Sequence, residues 1–209
     1  MHFPAVTLAL PGWVGEFLSN APATFASVEA RMELAIELAS RNVSRGTGGP
    51  FGAAIFNLND HSLLAPGVNL VVGSNCAVAH AEMMAIMIGQ AVLGSYDLGR
   101  EGFPPFELVT STEPCAMCFG AVPWSGVRSL VCGARREDAE QAGFDEGSKP
   151  DDWDASLQRR GIEVVRDVCR REAAAVLFSY AAVGGVVYNG RRGGGEGDPV
   201  LGSGKKRQS

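Results

Sequence analysis

The sequence has no apolar run long enough to cross a bilayer. A membrane-spanning helix takes about 20 apolar residues, and the stretch that comes closest, Ala173 to Tyr188, has 16 with Gly184-Gly185 inside it. The N-terminal apolar segment, Val6 to Leu10, has no Lys or Arg ahead of it, is broken by Pro11-Gly12 and is followed by Glu16. It lacks the charged start and continuous core of a secretory signal, although Ala21-Pro22-Ala23 has the small residues of a cleavage site. A disulfide framework is also missing. The five cysteines are Cys76, Cys115, Cys118, Cys132 and Cys169, an odd number with two in one C-x-x-C pair. A reducing compartment, the cytoplasm, is the expectation, with Cys76, Cys132 and Cys169 as small buried hydrophobes. No Lys follows Gly48-Gly49-Pro50 at the spacing of a phosphate loop. Positive charge is scarce as well. Of the formal net charge of −5, residues 191–209 carry +3, which leaves residues 1–190 at −8. An acidic body is a poor partner for a phosphate backbone, so nucleic acid is not expected and a small uncharged substrate fits better.

What is present is an ordinary globular pattern, with 209 residues, 46% hydrophobic and 20% charged, enough for one domain with a sizeable core. Residues 1–23 read as an extension in which Pro4, Pro11 and Pro22 disfavour a long helix. Its Trp13, Phe17 and Leu18 are apolar enough to pack on the body or on a partner subunit. Phe25, Val28, Met32, Ala35, Ile36, Ala39 and Val43 recur at helical spacing, which predicts a helix over Thr24 to Ser44. Gly52 to Leu58 and Leu63 to Val72 read as a hairpin, with Gly67 and Asn69 interrupting its second strand. A buried helix, apolar nearly all round, is expected from Ala79 to Val92. Further along come a strand over Glu107 to Ser111, a helix over Cys115 to Trp124 and a strand over Val127 to Cys132. A short helix over Arg136 to Gln141, a strand over Ile162 to Arg166 and a last helix over Val168 to Tyr188 complete the pattern. This order predicts an α/β fold, a three-layer α/β/α sandwich around a mixed five-stranded sheet, spanning residues 24–190. Residues 191–209, rich in Gly and charge, read as a disordered tail.

Two motifs carry the chemistry. His80-Ala81-Glu82 offers a histidine and a nearby carboxylate, and Pro114-Cys115-Ala116-Met117-Cys118 offers two cysteines three residues apart. On a helix that spacing puts both thiols on one face. Pro114 suits the first turn, where its missing N–H costs nothing, and the partial positive charge of a helix start favours thiolate. One His and two Cys leave one position of a tetrahedral zinc open, the arrangement of a catalytic site, in which a bound water is acidified to a pKa of about 7. Glu82 is placed to shuttle a proton without binding the metal. Taken alone, the C-x-x-C pair also reads as a redox pair or half of a structural zinc site. The pattern H-x-E…P-C-x-x-C as a whole is the signature of zinc nucleobase deaminases.

Beyond these motifs, Gly49-Pro50-Phe51-Gly52-Ala53, Ala79-His80-Ala81-Glu82, Glu113 to Cys118, and Ala142-Gly143-Phe144-Asp145-Glu146 resemble bacterial guanine deaminases of the cytidine-deaminase-like superfamily. The likeness covers about Thr24 to Tyr188, and its closest branch also takes the triazine ammeline. The resemblance implies one zinc per subunit on His80, Cys115 and Cys118, with Glu82 as the proton shuttle. It implies Asn69 and Ala81 against the purine, Phe51 and Phe144 packed on its ring, and Asp145 and Glu146 at its polar edge, one of them relaying a second proton. It also implies a homodimer, in some members with exchanged C-terminal segments that close the neighbouring subunit's pocket, a part for which Tyr188 is a candidate here. The chemistry agrees in part, since guanine's N1–H and 2-amino group are donors and carboxylates accept. The expected reaction is guanine to xanthine and ammonia. Three rivals stay open: the same chemistry on cytosine, guanosine or adenosine in tRNA; a zinc-stabilised scaffold; and a redox dithiol.

Overall fold

The computed structural model describes residues 1–189. Its five strands are β1 (Gly52–Asn57), β2 (Leu63–Val68), β3 (Phe106–Thr112), β4 (Ser129–Ala134) and β5 (Glu163–Val165). The helices of the described residues are α1 (Gly12–Leu18), α2 (Val28–Ser44), α3 (Val71–Ser74), α4 (Ala81–Leu93), α5 (Ala116–Ser125), α6 (Arg136–Gln141), α7 (Trp153–Gln158) and α8 (Arg170–Ala182). The strands form one mixed sheet in the order β2-β1-β3-β4-β5. β1 is antiparallel to both its neighbours, and β3, β4 and β5 are parallel.

Side chains that alternate along a strand meet opposite layers. Ala54, Phe56, Val109 and Val131 pack with Met32, Ala35 and Leu38 of α2. The residues between them, Ala53, Ile55, Leu108, Leu130 and Cys132, pack with Ala81, Ala85 and Ile86 of α4, Val122 of α5 and Leu157 of α7. α8 joins the α2 layer through Ala173, Ala174 and Leu177 against Ala134 and Ala139. The result is the expected three-layer sandwich around a mixed five-stranded sheet.

Several boundaries differ from the sequence expectation. α2 begins at Val28, because the Ser27 side chain accepts from the Ala30 N–H and caps it. β2 stops at Val68, and Val71–Ser74 coils into α3 instead of extending the hairpin. α8 ends at Ala182, six residues short of Tyr188, because Gly184 takes φ +73°. The six residues of α7 have too little periodicity to stand out. In the N-terminal extension, α1 buries Trp13 and Val14 in the same cluster as Met32 and Leu38. Residues 191–209, expected as a tail, lie outside the described residues.

Two glycines set how closely the helices sit on the sheet. A Cβ on Gly52 would lie 2.2 Å from the Ala35 carbonyl oxygen of α2, and one on Gly67 would lie 2.1 Å from the Ala81 carbonyl oxygen of α4. Both obstructions are backbone, so neither can swing aside. Gly67, an apparent interruption, is a paired strand residue whose bareness admits the start of α4. Gly67→Ala should therefore destabilise the protein by about 3 kcal/mol, the upper part of the range for overpacking, measured as a lowered urea midpoint. An unchanged midpoint would mean that α4 has freedom to move off β2.

Candidate active site

The topology brings several chain segments to one edge of the sheet. β1 starts there after Phe51, while β2, running the other way, ends there before Asn69. β3 and β4, also opposite to β1, end there before Glu113 and Arg135. Ligand sites in α/β sheets gather outside the carboxyl ends of the parallel strands, and a pocket opens at this edge. Phe51, Asn69, His80, Glu82, Cys115, Phe144, Glu146 and Tyr188 all line it.

The cysteine and histidine motifs meet because each opens a helix. His80 is the N-cap of α4 and Cys115 the N-cap of α5, both with extended backbone, and Cys118 follows in the first turn of α5. Neither cap side chain bonds back to its own helix. Both sulfurs instead stand 3.6 Å from His80 Nδ1, and the three ligand atoms lie within 4.8 Å of one another. A tetrahedral zinc, with Zn–S about 2.3 Å and Zn–N about 2.0–2.1 Å, would hold sulfur and nitrogen about 3.6 Å apart. The set fits zinc in donor type, number and spacing. The thiols already favour charge separation. The hydrogen bond from Cys118, aided by His80, holds the Cys115 thiol down to about 4, while donating that bond and being buried push Cys118 up. Burial lowers the affinity of His80 for a proton, but Cys115 and Glu82 outweigh it and the net shift is upward.

Two carboxylates face this centre. Glu82 is 6% exposed, and burial, then the Cys115 charge, raises its pKa. Glu146 is 5% exposed, and burial followed by Cys115 and Glu82 pushes it up to about 8. A divalent cation on the three ligands opposes that push and favours the ionised forms. Phe51 and Phe144 meet edge to face with centroids 4.8 Å apart, forming an aromatic wall. Asn69 is 8% exposed. Its Oδ1 accepts from the Val71 N–H, and its Nδ2 makes no hydrogen bond among the described residues.

The sequence reading placed two residues that the structure does not bring to the pocket. Asp145 is exposed, and its carboxylate accepts from the Gly147 N–H at 3.0 Å. The turn separates the adjacent acids, so only Glu146 faces inward. Ala81 is fully buried between α4 and the sheet, under the pocket rather than on its wall.

The same reading missed the support behind the cysteine helix. Glu113, directly before Pro114-Cys115, is buried and ion-paired to Arg166 through Nε at 2.7 Å. Lys149, also buried, donates to the Pro114 carbonyl at 2.9 Å, stands 3.8 Å from Glu113 and lies 4.3 Å over the Trp153 ring. The Ala116 N–H donates to the Glu146 carbonyl at 2.9 Å. The loop bearing Glu146 is thus fastened to the start of α5 on both sides of Cys115. One signal was available: Lys149 is the only lysine before Lys205 in a chain that otherwise uses arginine.

The family model for the cytidine and deoxycytidylate deaminase zinc-binding region matches residues 26–134, from α2 to the end of β4 and across all three ligands. The chain belongs to this family of zinc-dependent deaminases. Within it, the chain is 39% identical over 134 residues to a guanine deaminase of Bacillus subtilis, covering 64% of this chain and 81% of that protein. A guanine deaminase structure from Nitrosomonas europaea superposes with TM-score 0.81 at 46% identity, covering 87% of this chain and all of that one. A structure solved with 2,6-diaminopurine bound gives TM-score 0.82 at 48% identity, covering 88% and 97%. Among the described residues no helix is long and apolar enough to cross a membrane.

Two outcomes follow from this geometry. Cys115→Ser should lose zinc as measured by metal analysis, because a hydroxyl is a far poorer zinc ligand than a thiolate; stoichiometric zinc in that variant would break the ligand set. In zinc-free protein, Glu146 keeps its proton up to about pH 8, whereas the unfolded chain releases it near the ordinary value of 4.5. The folded state then binds more protons across that window. Stability is full below the lower value and falls as pH rises through the upper one. Glu146→Gln should flatten the fall, and Glu82, shifted the same way, should leave a residue of it. Denaturant melts of the stripped proteins between pH 4.5 and pH 8 measure this; equal slopes in the two proteins would contradict it.

Proposed function

We propose that the protein hydrolyses guanine to xanthine and ammonia, with His80, Cys115 and Cys118 as the zinc ligands. The observation that carries this reading is that one pocket gathers those three groups, Glu82, Glu146 and Asn69 against an aromatic wall. The family relationship and the guanine deaminase relatives support it.

When bound, zinc supplies a water that is acidic enough to act as nucleophile at neutral pH. Glu82, inside the pocket and two residues from His80, accepts the proton released as the water oxygen bonds to C2. It passes that proton to the adjacent ring nitrogen, then takes the proton of the new C2 hydroxyl and gives it to the amino group as the C2–N bond breaks, C2 becomes a carbonyl and ammonia leaves. Glu146 stands at the purine's polar edge, where a carboxylate accepts from N1–H and the 2-amino group. Asn69 Nδ2 is a donor for a ring nitrogen or carbonyl on the same base. Phe51 and Phe144 exclude water and cover the flat ring.

The exposed apolar side chains of the α4–α5 layer, Met87 at 37% and Trp124 at 85%, support a homodimer that covers this face. Val186 and Tyr188 line the pocket of their own chain. Cytoplasmic residence is the reading that matches the free thiols.

Ammonia release should be faster from guanine than from cytosine, adenine or guanosine, with ammeline as a further test substrate. Cytosine as the best substrate would overturn the reading of the purine edge. Glu82→Gln should keep its zinc and lower kcat about 10²–10⁴-fold with little change in KM. Glu146→Gln should raise KM as well, and by more than Asp145→Asn, because Glu146 lines the pocket. Single-turnover rates, zinc content and guanine binding on the three variants separate these roles.

A further inference from the structure

The N-terminal helix reaches the pocket through an unbroken line of hydrogen bonds. The Trp13 indole N–H in α1 donates to Thr47 Oγ1 at 3.1 Å. Thr47 Oγ1 donates to Asn42 Oδ1 at 2.7 Å. Asn42, fully buried in the last turns of α2, donates from Nδ2 to the Asn69 carbonyl at 2.8 Å and to the Gly49 carbonyl at 2.9 Å. Every bond runs in the same direction, so each donor is polarised by the bond it accepts. Both amide hydrogens of Asn42 and its side-chain oxygen are engaged.

The two carbonyls it holds belong to the two loops that form the recognition wall. Gly49 and Asn69 both line the pocket. The Asn69 N–H donates to the Phe51 carbonyl at 3.1 Å, and the Phe51 N–H to the Gly49 carbonyl at 2.9 Å, so the loops are laced to each other as well. The approach leaves no slack. A Cβ on Gly48 would lie 1.8 Å from the Asn69 carbonyl oxygen and 2.7 Å from Asn42 Nδ2. With its carbonyl, its N–H and its Oδ1 all engaged, Asn69 has Nδ2 as its one remaining polar group at the pocket.

We propose that Asn42, Thr47 and Trp13 are positioning residues that hold Asn69 and Phe51 in register for the purine, so that the N-terminal segment is part of the recognition wall. The proposal rests on the reading that Asn69 contacts the base, but the clamp itself can be read without substrate. None of the three residues lies among the zinc ligands, so the clamp acts on recognition and leaves the metal centre alone.

The test uses the full-length, zinc-loaded protein. Thr47→Val keeps shape and removes the hydroxyl relay; Thr47→Ser restores the hydroxyl; Trp13→Phe keeps an aromatic ring in the core and removes the N–H. Thr47→Val and Trp13→Phe should speed amide hydrogen exchange in residues 47–51 and 68–72, with residues 115–125 unchanged and zinc retained. Affinity for 8-azaguanine should fall about twofold to tenfold, the range for one neutral hydrogen bond, and KM for guanine should rise with kcat changed less. Thr47→Ser should return exchange and affinity to wild type. Exchange in residues 68–72 equal to wild type in both Thr47→Val and Trp13→Phe overturns the clamp. So does a general loosening that includes residues 115–125 and that Thr47→Ser fails to reverse. Failure of the wild-type protein to act on guanine would count against the function proposed above and would leave the exchange result to decide the clamp.

Discussion

The 3.6 Å approach of both cysteine sulfurs to His80 Nδ1 is imposed by backbone. Two helices begin at the same edge of the sheet, and the cap positions are held by His80 and Cys115, whose side chains face each other instead of capping their own helices. A helix start leaves several N–H groups unpaired and carries partial positive charge. Aiming two such starts at one point stabilises thiolate there and leaves donors free around it. The rest of the molecule serves to hold those starts in place. The bare Gly67 lets α4 touch the sheet, and the buried Glu113, Arg166 and Lys149 brace the entry to α5.

That bracing has a cost which the geometry offsets. Glu113 and Lys149 are both buried, and an unpaired charge in such a place would be strongly destabilising. Each has several partners. Glu113 accepts from Arg166 and from the Arg136 N–H, and Lys149 has the Pro114 carbonyl and the Trp153 ring face. The cluster ties α5, the Glu146 loop, α7 and the end of β5 to one another. Of the residues that build it, Pro114 directly precedes Cys115 and Glu113 stands one position further back.

Most of the fold was legible in the sequence because its signals were local. Helical stripes, the hairpin and the strand–helix–strand order fixed the layers, and the zinc motifs lie within a few residues of helix starts. The elements that were misjudged are those set by tertiary contact or backbone conformation. Val71–Ser74 leaves the strand for a short helix after Asn69 caps the Val71 N–H. α8 stops where a glycine turns left-handed, a change that an apolar run from Ala173 to Tyr188 does not announce. In the site, the gathering of His80, Cys115, Cys118 and Glu82 in one place was readable because two short motifs at helix starts encode it. Asp145 and Glu146 could not be told apart, since adjacent acids look alike until a turn sends one inward. Asn42 appears in the sequence as an ordinary polar residue of α2; its importance lies in contacts 7 and 27 positions away.

The pocket draws its walls from parts of the chain that lie far apart, whereas the reactive centre occupies only the starts of two helices. Gly49 and Tyr188 face the same space although most of the described chain lies between them. Reactivity and selectivity are therefore written in separate places. Replacing the loop at Phe144 to Glu146, or the one at Asn69, would present a differently shaped base to an unaltered hydrolytic apparatus. Descendants of such a scaffold can diverge in what they process while inheriting how they process it, and the segment that begins at α1 offers a more distant handle on that divergence through its hydrogen bonds to the Asn69 loop.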